Sequence, residues 1–217
     1  MRKRVLFLCI SLALSMVLSV PAGEISCAPP RGAGYVQHHK QEKAPVKKAP
    51  AKSVENKSSL SKEQLNKISA ISSVFRYYNR NLPKRDADNY AKFTLEAAER
   101  YKIDPGLLAG LIIKESTVRP NARSKYAVGL MQIYWRMHKK AIMAQFPHVK
   151  TEKDVMEPRT NIFVGTWLYA KYLKDCKGNE RAALSRYLGK KNAGRYIAQI
   201  NSYRKRYREY LKSGSPK

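Results

Sequence analysis

From residue 60 onward, apolar positions recur every three or four residues and never settle into the alternation of a half-buried strand. Leu65, Ile68, Ile71, Phe75 and Tyr78 form the first such stripe. Ser61 and Gln64 precede it as a capping-box pair, with Leu60 and Leu65 spaced as a hydrophobic staple. A second helix is predicted from about Asp88 to Lys102, and Asp104 caps a third that has Pro105 at its first position. Pro, Asn and Ser residues predict a loop over 117–128. Thr160 or Asn161 starts the next helix, with Ile162, Gly165, Tyr169, Tyr172 and Leu173 along one face, and Gly178 ends it. Asn179 caps a short helix reaching Tyr187, and Tyr196, Ile197, Ile200, Tyr203, Tyr207 and Tyr210 mark the last one. The pattern predicts a mainly α domain over residues 61–217, a comfortable size for one core.

The first 60 residues follow different rules. Met1-Arg2-Lys3-Arg4 is a cationic start, Val5 to Val20 is apolar except for serines, and Val20-Pro21-Ala22 offers small residues for cleavage. This is the pattern of a signal peptide over residues 1–22. The apolar run is short for a spanning helix, so membrane anchoring follows only if the segment stays uncleaved. Residues 23–60 are rich in Ala, Pro, Lys, Ser and Gly and offer little to a core, which predicts a disordered basic linker. The expected destination is across the bacterial inner membrane, in the periplasm or cell envelope.

Charge then narrows the partner. The chain has 43 Lys+Arg against 16 Asp+Glu, a net charge of +27, and 43% hydrophobic residues. A soluble core is affordable, and the excess charge points to a polyanion. Residues 61–217 alone carry about +20, so the excess belongs mostly to the predicted domain and not to the linker. Export argues against nucleic acid as the main partner. Neither HExxH nor CxxC occurs, and His38-His39 lies in the linker, so no metal or cofactor is expected. Cys27 and Cys176 would be free to oxidise after export, but their spacing does not require it.

The third helix carries the chemistry. Residues 107–113 are apolar on every side, which predicts a buried central helix. Glu115 stands one turn or two beyond Ile112, Leu111 and Leu108, so it continues an apolar face at the negative end of the helix dipole. Burial and dipole both disfavour the carboxylate anion and raise its pKa toward that of a general acid. Local sequence also allows the side chain to reach solvent from a frayed helix end.

Glu115-Ser116, then Pro120 and Ser124, Gly129-Leu130-Met131-Gln132-Ile133, Asn161-Ile162 with Gly165 and Tyr169, and Tyr187-Leu188-Gly189 follow in order. Over residues 88–210 this set resembles the catalytic domain of soluble lytic transglycosylases, relatives of goose-type lysozyme. The resemblance implies a lysozyme-like helical fold with a glycan-binding cleft, peptidoglycan glycan strands as partner, no cofactor, and a monomer. It implies that Glu115 protonates the MurNAc–GlcNAc β-1,4 oxygen and then, as base, lets the muramic C6 hydroxyl close a 1,6-anhydro ring. It further implies that the Tyr187 hydroxyl points at Glu115 and that Ser124 holds the N-acetyl group. Met131 and Gln132 become a cleft wall, and Ser116, Gly129, Leu130, Tyr134 and Asn161 become substrate-binding positions. Tyr126, Tyr134 and Trp135 flank the Gly-Leu-Met-Gln string and are the better candidates for sugar contact among the 14 tyrosines and two tryptophans.

Plainer roles stand beside these. Gly129 also suits a backbone turn, Met131 core filling, Gly165 close helix packing and Asn161 a helix cap. Tyr169, Tyr172 and the C-terminal tyrosines fit packing by their spacing. The chain departs from the family in Tyr126-Ala127-Val128-Gly129, one residue short, in Tyr134-Trp135 where Met-Pro is usual, and in Tyr187-Leu188-Gly189, which lacks an asparagine. Two alternatives stay open: a hydrolytic muramidase of the same fold, and a non-catalytic basic cell-wall or nucleic-acid binding module using Arg204-Lys205-Arg206 and the Lys-rich linker.

Overall fold

The computed structural model describes residues 60–189 and 193–213. The predicted signal segment, the basic linker, Cys27 and His38-His39 lie outside the described residues. Eight α-helices form among the described residues: α1 (Lys62–Tyr78), α2 (Lys84–Tyr101), α3 (Pro105–Ser116), α4 (Trp135–Gln145), α5 (Glu152–Met156), α6 (Pro158–Asp175), α7 (Glu180–Leu188) and α8 (Gly194–Ser213). No described helix is long and apolar enough to cross a membrane.

Several boundaries follow from local chemistry. At α1 the Ser61 hydroxyl accepts from the Gln64 N–H, and the Gln64 side chain accepts from the Ser61 N–H. Leu60 and Leu65 both remain exposed at this end. Asp104 caps α3 by accepting from the Leu107 N–H at 2.7 Å, ahead of Pro105. Asn179 does the same for α7 through Ala182. The α2 helix begins at Lys84, four residues before the predicted start, because Pro83 precedes it and Asp86 suits its first turn. The sequence pattern does not predict α4 or α5.

The all-apolar α3 is the central element. Its residues Leu107 to Ile113 are all buried, and it packs against α1, α2 and most extensively α8. Gly106 and Gly110 let α8 come this close: a Cβ on Gly110 would lie 2.9 Å from the Ile200 carbonyl oxygen, and one on Gly106 would meet the Tyr207 ring. The α6 helix packs on α2 and α7, and its Gly165 admits the Met131 side chain where any Cβ would collide with it. One hydrophobic core runs through all these elements.

One cysteine and two arginines complete the frame. Cys176, directly after α6, is buried, while Cys9 and Cys27 lie outside the described residues. Arg204 is largely buried and bridges Asp104 at 2.9 Å and Glu180 at 3.0 Å, tying α8 to the starts of α3 and α7. Arg206 stacks 3.8 Å above the Tyr77 ring. Two members of the Arg204-Lys205-Arg206 run are thus engaged in packing, while the Lys-rich linker lies outside the described residues.

Candidate active site

The last turn of α3 delivers Glu115 to the floor of an open groove. Two hollows of about 430 and 500 Å³ meet there. Glu115, Ser124 and Gln132 line both, so they mark the junction. One hollow is polar and cationic, with Arg119, Asn121 and Arg123. The other is mostly apolar and aromatic, with Tyr126, Tyr134, Met137, Tyr172 and Tyr187. His138 also lines it; burial, and then Lys171, lower its pKa and keep it neutral. Glu115 is the one carboxylate among the residues lining the two hollows.

Burial is the dominant influence on Glu115 and pushes its pKa up to about 7. Two contacts oppose it: the Tyr196 hydroxyl donates a hydrogen bond to Glu115 Oε1, and Lys114 adds a nearby positive charge. Tyr196 in turn has its pKa raised well above 10 by burial and by the adjacent carboxylate, so it stays a donor.

This corrects the expected role of Tyr187. Its hydroxyl donates to the Met131 carbonyl at 2.9 Å, while its ring walls the groove. The tyrosine on the acid comes from the first turn of α8, beyond the departed Tyr-Leu-Gly element. Periodicity places Tyr196 among packing residues, and it is indeed buried; only the crossing of α8 over α3 reveals its polar end.

Asn161 also differs from expectation. It is fully buried inside α6 and reaches no groove. Glu157 caps α6 instead, accepting from the Arg159 and Thr160 N–H groups. The Asn161 side chain accepts from the Met131 N–H at 2.7 Å and donates to the carbonyls of Val128 and Val155 at 3.1 and 2.8 Å. It is the internal clamp of the Gly-Leu-Met-Gln turn.

That turn therefore works from below. Gly129, Leu130 and Met131 are buried, and Met131 packs on Gly165, so it is not a cleft wall. Gln132 alone of the four reaches the groove, held at φ 48° with its amide donating to the carbonyls of Ala122 and Gly129. A non-glycine residue at positive φ is strained, and here the strain presents a side chain to the site. Ser116 is buried and donates to the Ile112 carbonyl, so it too supports α3 without facing the groove.

The remaining expected positions face the groove. Ser124 is exposed, its hydroxyl accepting from the Ala127 N–H at 3.2 Å. Tyr126 and Tyr134 pair with ring centroids 5.4 Å apart and border the aromatic side. Trp135 packs against the core instead. Tyr172, read from its spacing as packing, joins the lining because its ring lies at the edge of α6 beside Tyr187.

A helical domain with one protonatable acid at the floor of an open groove, flanked by aromatic and cationic walls, has the make-up of a lysozyme-like enzyme acting on a polysaccharide. Residues 92–209 match the transglycosylase SLT domain. The chain therefore belongs to that family, the lytic transglycosylases that act on peptidoglycan. No curated protein and no solved structure matches the chain. The match begins within α2, so α1 lies outside it although α1 packs on α2, α3 and α8 as part of the same core.

One consequence can be measured directly. The Tyr196 hydroxyl favours the Glu115 anion, so Tyr196→Phe raises the Glu115 pKa further above about 7. Catalysis that requires protonated Glu115 then persists to higher pH. The alkaline limb of the kcat–pH profile is expected to move up by about one unit, the size of one lost charge-assisted hydrogen bond. An unmoved limb would separate Tyr196 from the acid's titration.

Proposed function

We propose that the enzyme cleaves the MurNAc–GlcNAc β-1,4 bond without water, using Glu115 first as acid and then as base. With its pKa near 7, Glu115 holds a proton through a useful part of the neutral range and can give it to the glycosidic oxygen. The resulting Glu115 carboxylate, steadied by Tyr196, takes the proton of the muramic C6 hydroxyl as that oxygen attacks C1. The C1–O4 bond breaks, the C1–O6 bond forms, and the proton count closes on the same residue. Ordinary glycosidases need a second carboxylate as nucleophile or base. The observation that carries the single-acid mechanism is the lining of the groove, where Glu115 stands without a carboxylate partner.

Ser124 and Gln132 sit where the two hollows join, and in this mechanism they hold the muramic N-acetyl group and sugar hydroxyls beside the acid. Residues 1–22 act as the export signal and 23–60 as a tether, and the enzyme works in the periplasm or cell envelope. There the +20 of residues 61–217 draws it to the anionic wall. The mass spectrum of muropeptides released from sacculi tests this function. Anhydro ends, one water lighter than hydrolytic ends, are expected; reducing muramic ends alone would make the enzyme a hydrolytic muramidase.

A further inference from the structure

The groove contains a cation that the bond-cleaving chemistry does not use. Arg119 lies in the polar hollow beside Glu115, and its side chain is exposed. Among the described residues no carboxylate pairs with it, whereas Arg123 in the same hollow is tied to Glu152 at 2.7 Å and to the Met156 sulfur. Arg119 is nevertheless not loose. Its Nε–H donates to the Ser116 carbonyl at 3.0 Å, and its own backbone N–H donates to the same oxygen at 3.3 Å. Anchoring through Nε fixes the guanidinium plane at the end of α3 and leaves the two terminal nitrogens for another partner.

The backbone that places it is strained. Thr117 and Val118, the two residues between α3 and Arg119, both adopt left-handed φ, 53° and 55°. Successive β-branched residues there are unusual and costly. The core holds Val118 fully buried, and the Asn79 amide donates to its carbonyl at 3.3 Å. The chain thus doubles back over the helix end and sets Arg119 in the groove. The charged and hydrogen-bonding groups that oppose burial at Glu115 are Tyr196 and Lys114.

We propose that Arg119 is a specificity residue that binds a carboxylate on the muramyl side chain of the strand lying across Glu115. This rests on the peptidoglycan function above and deepens it. A fixed planar fork with two free terminal nitrogens suits a carboxylate, which it can engage in a bidentate manner. Two parts of the substrate offer that group: the lactyl carboxylate, free on strands stripped of peptide, and the carboxylates of the attached peptide stem.

The test compares wild type with Arg119→Gln on three purified glycan preparations: peptide-free strands, peptide-bearing strands, and peptide-bearing strands whose carboxylates are converted to methylamides. On the carboxylate-bearing strands Arg119→Gln is expected to raise KM about tenfold, with kcat within about twofold and an unmoved pH profile. On the amidated strands the two proteins are expected to have equal KM, both as weak as the variant. Arg119→Lys, which keeps charge but loses the fork, should recover only part of the affinity. An effect confined to peptide-free strands assigns the lactyl carboxylate, and one confined to peptide-bearing strands assigns the stem. Equal KM of wild type and Arg119→Gln on both the peptide-free and the peptide-bearing strands would overturn the inference alone. Failure of wild type to release anhydro ends from any strand would overturn the proposed function and the inference with it.

Discussion

Glu115→Gln is expected to lower kcat on purified cell walls by roughly a thousandfold or more, because it removes both the acid and the base in one substitution. Wall binding should survive, since the groove and the positive field are unchanged. The same substitution should stabilise the fold at alkaline pH. Glu115 has a folded pKa of about 7 against an ordinary value of 4.5, so the native state binds its proton more tightly than the unfolded chain does. Its contribution to stability is therefore greatest below about pH 4.5 and falls as pH rises through 7. Glutamine never ionises and escapes that loss. Thermal unfolding should show Glu115→Gln more stable than wild type by on the order of 2 kcal/mol at pH 8, with the difference shrinking towards zero at acid pH. A variant that clears walls at the wild-type rate would remove Glu115 from the chemistry. A variant no more stable at pH 8 would remove the burial that raises its pKa.

Asn161→Ala should give the largest loss of stability. Three backbone groups, the Met131 N–H and the carbonyls of Val128 and Val155, lose their partner in a buried place that water does not reach. Each unsatisfied buried group costs about 1–3 kcal/mol, so a total of about 3 kcal/mol or more is expected. For roughly 150 ordered residues that corresponds to a fall of about 10 °C in Tm. Activity should drop even in the folded fraction, because the turn that aims Gln132 into the groove loses its clamp. Asn161→Asp should be no remedy: it keeps an acceptor for Met131 but offers no donors and buries a charge. A Tm within about 2 °C of wild type for Asn161→Ala would show that the turn holds itself.

The contrast between Glu115 and Asn161 shows what the sequence makes legible. Glu115 is conspicuous because an acid interrupts an otherwise apolar helix face, a signal contained within eight residues. The caps at Ser61, Asp104 and Asn179 are legible for the same reason: donor and acceptor lie three residues apart. Asn161 sits near a true helix start, so its local pattern suggests a cap, but its partners are 30 and 33 residues away in the chain as well as six. Tyr196 is separated from Glu115 by 81 residues and shares its spacing with buried neighbours, so nothing local distinguishes a tyrosine that packs from one that also bonds the acid. The α4 helix was missed because it carries only one fully buried position, Ile142, and α5 because five residues are too few to show a period. The Gly-Leu-Met-Gln string marks the right place with the wrong emphasis: three of its residues build the floor from inside, and one faces the groove.

The central claim is that one carboxylate suffices because the substrate supplies its own nucleophile and no water enters. Digestion of sacculi in water enriched in oxygen-18 tests it most directly. The mass of the newly formed muramic ends should correspond to the 1,6-anhydro form with no heavy oxygen at C1. Heavy oxygen at C1 in most of the new ends would contradict it, and would mean that the groove at Glu115 admits water as the attacking group.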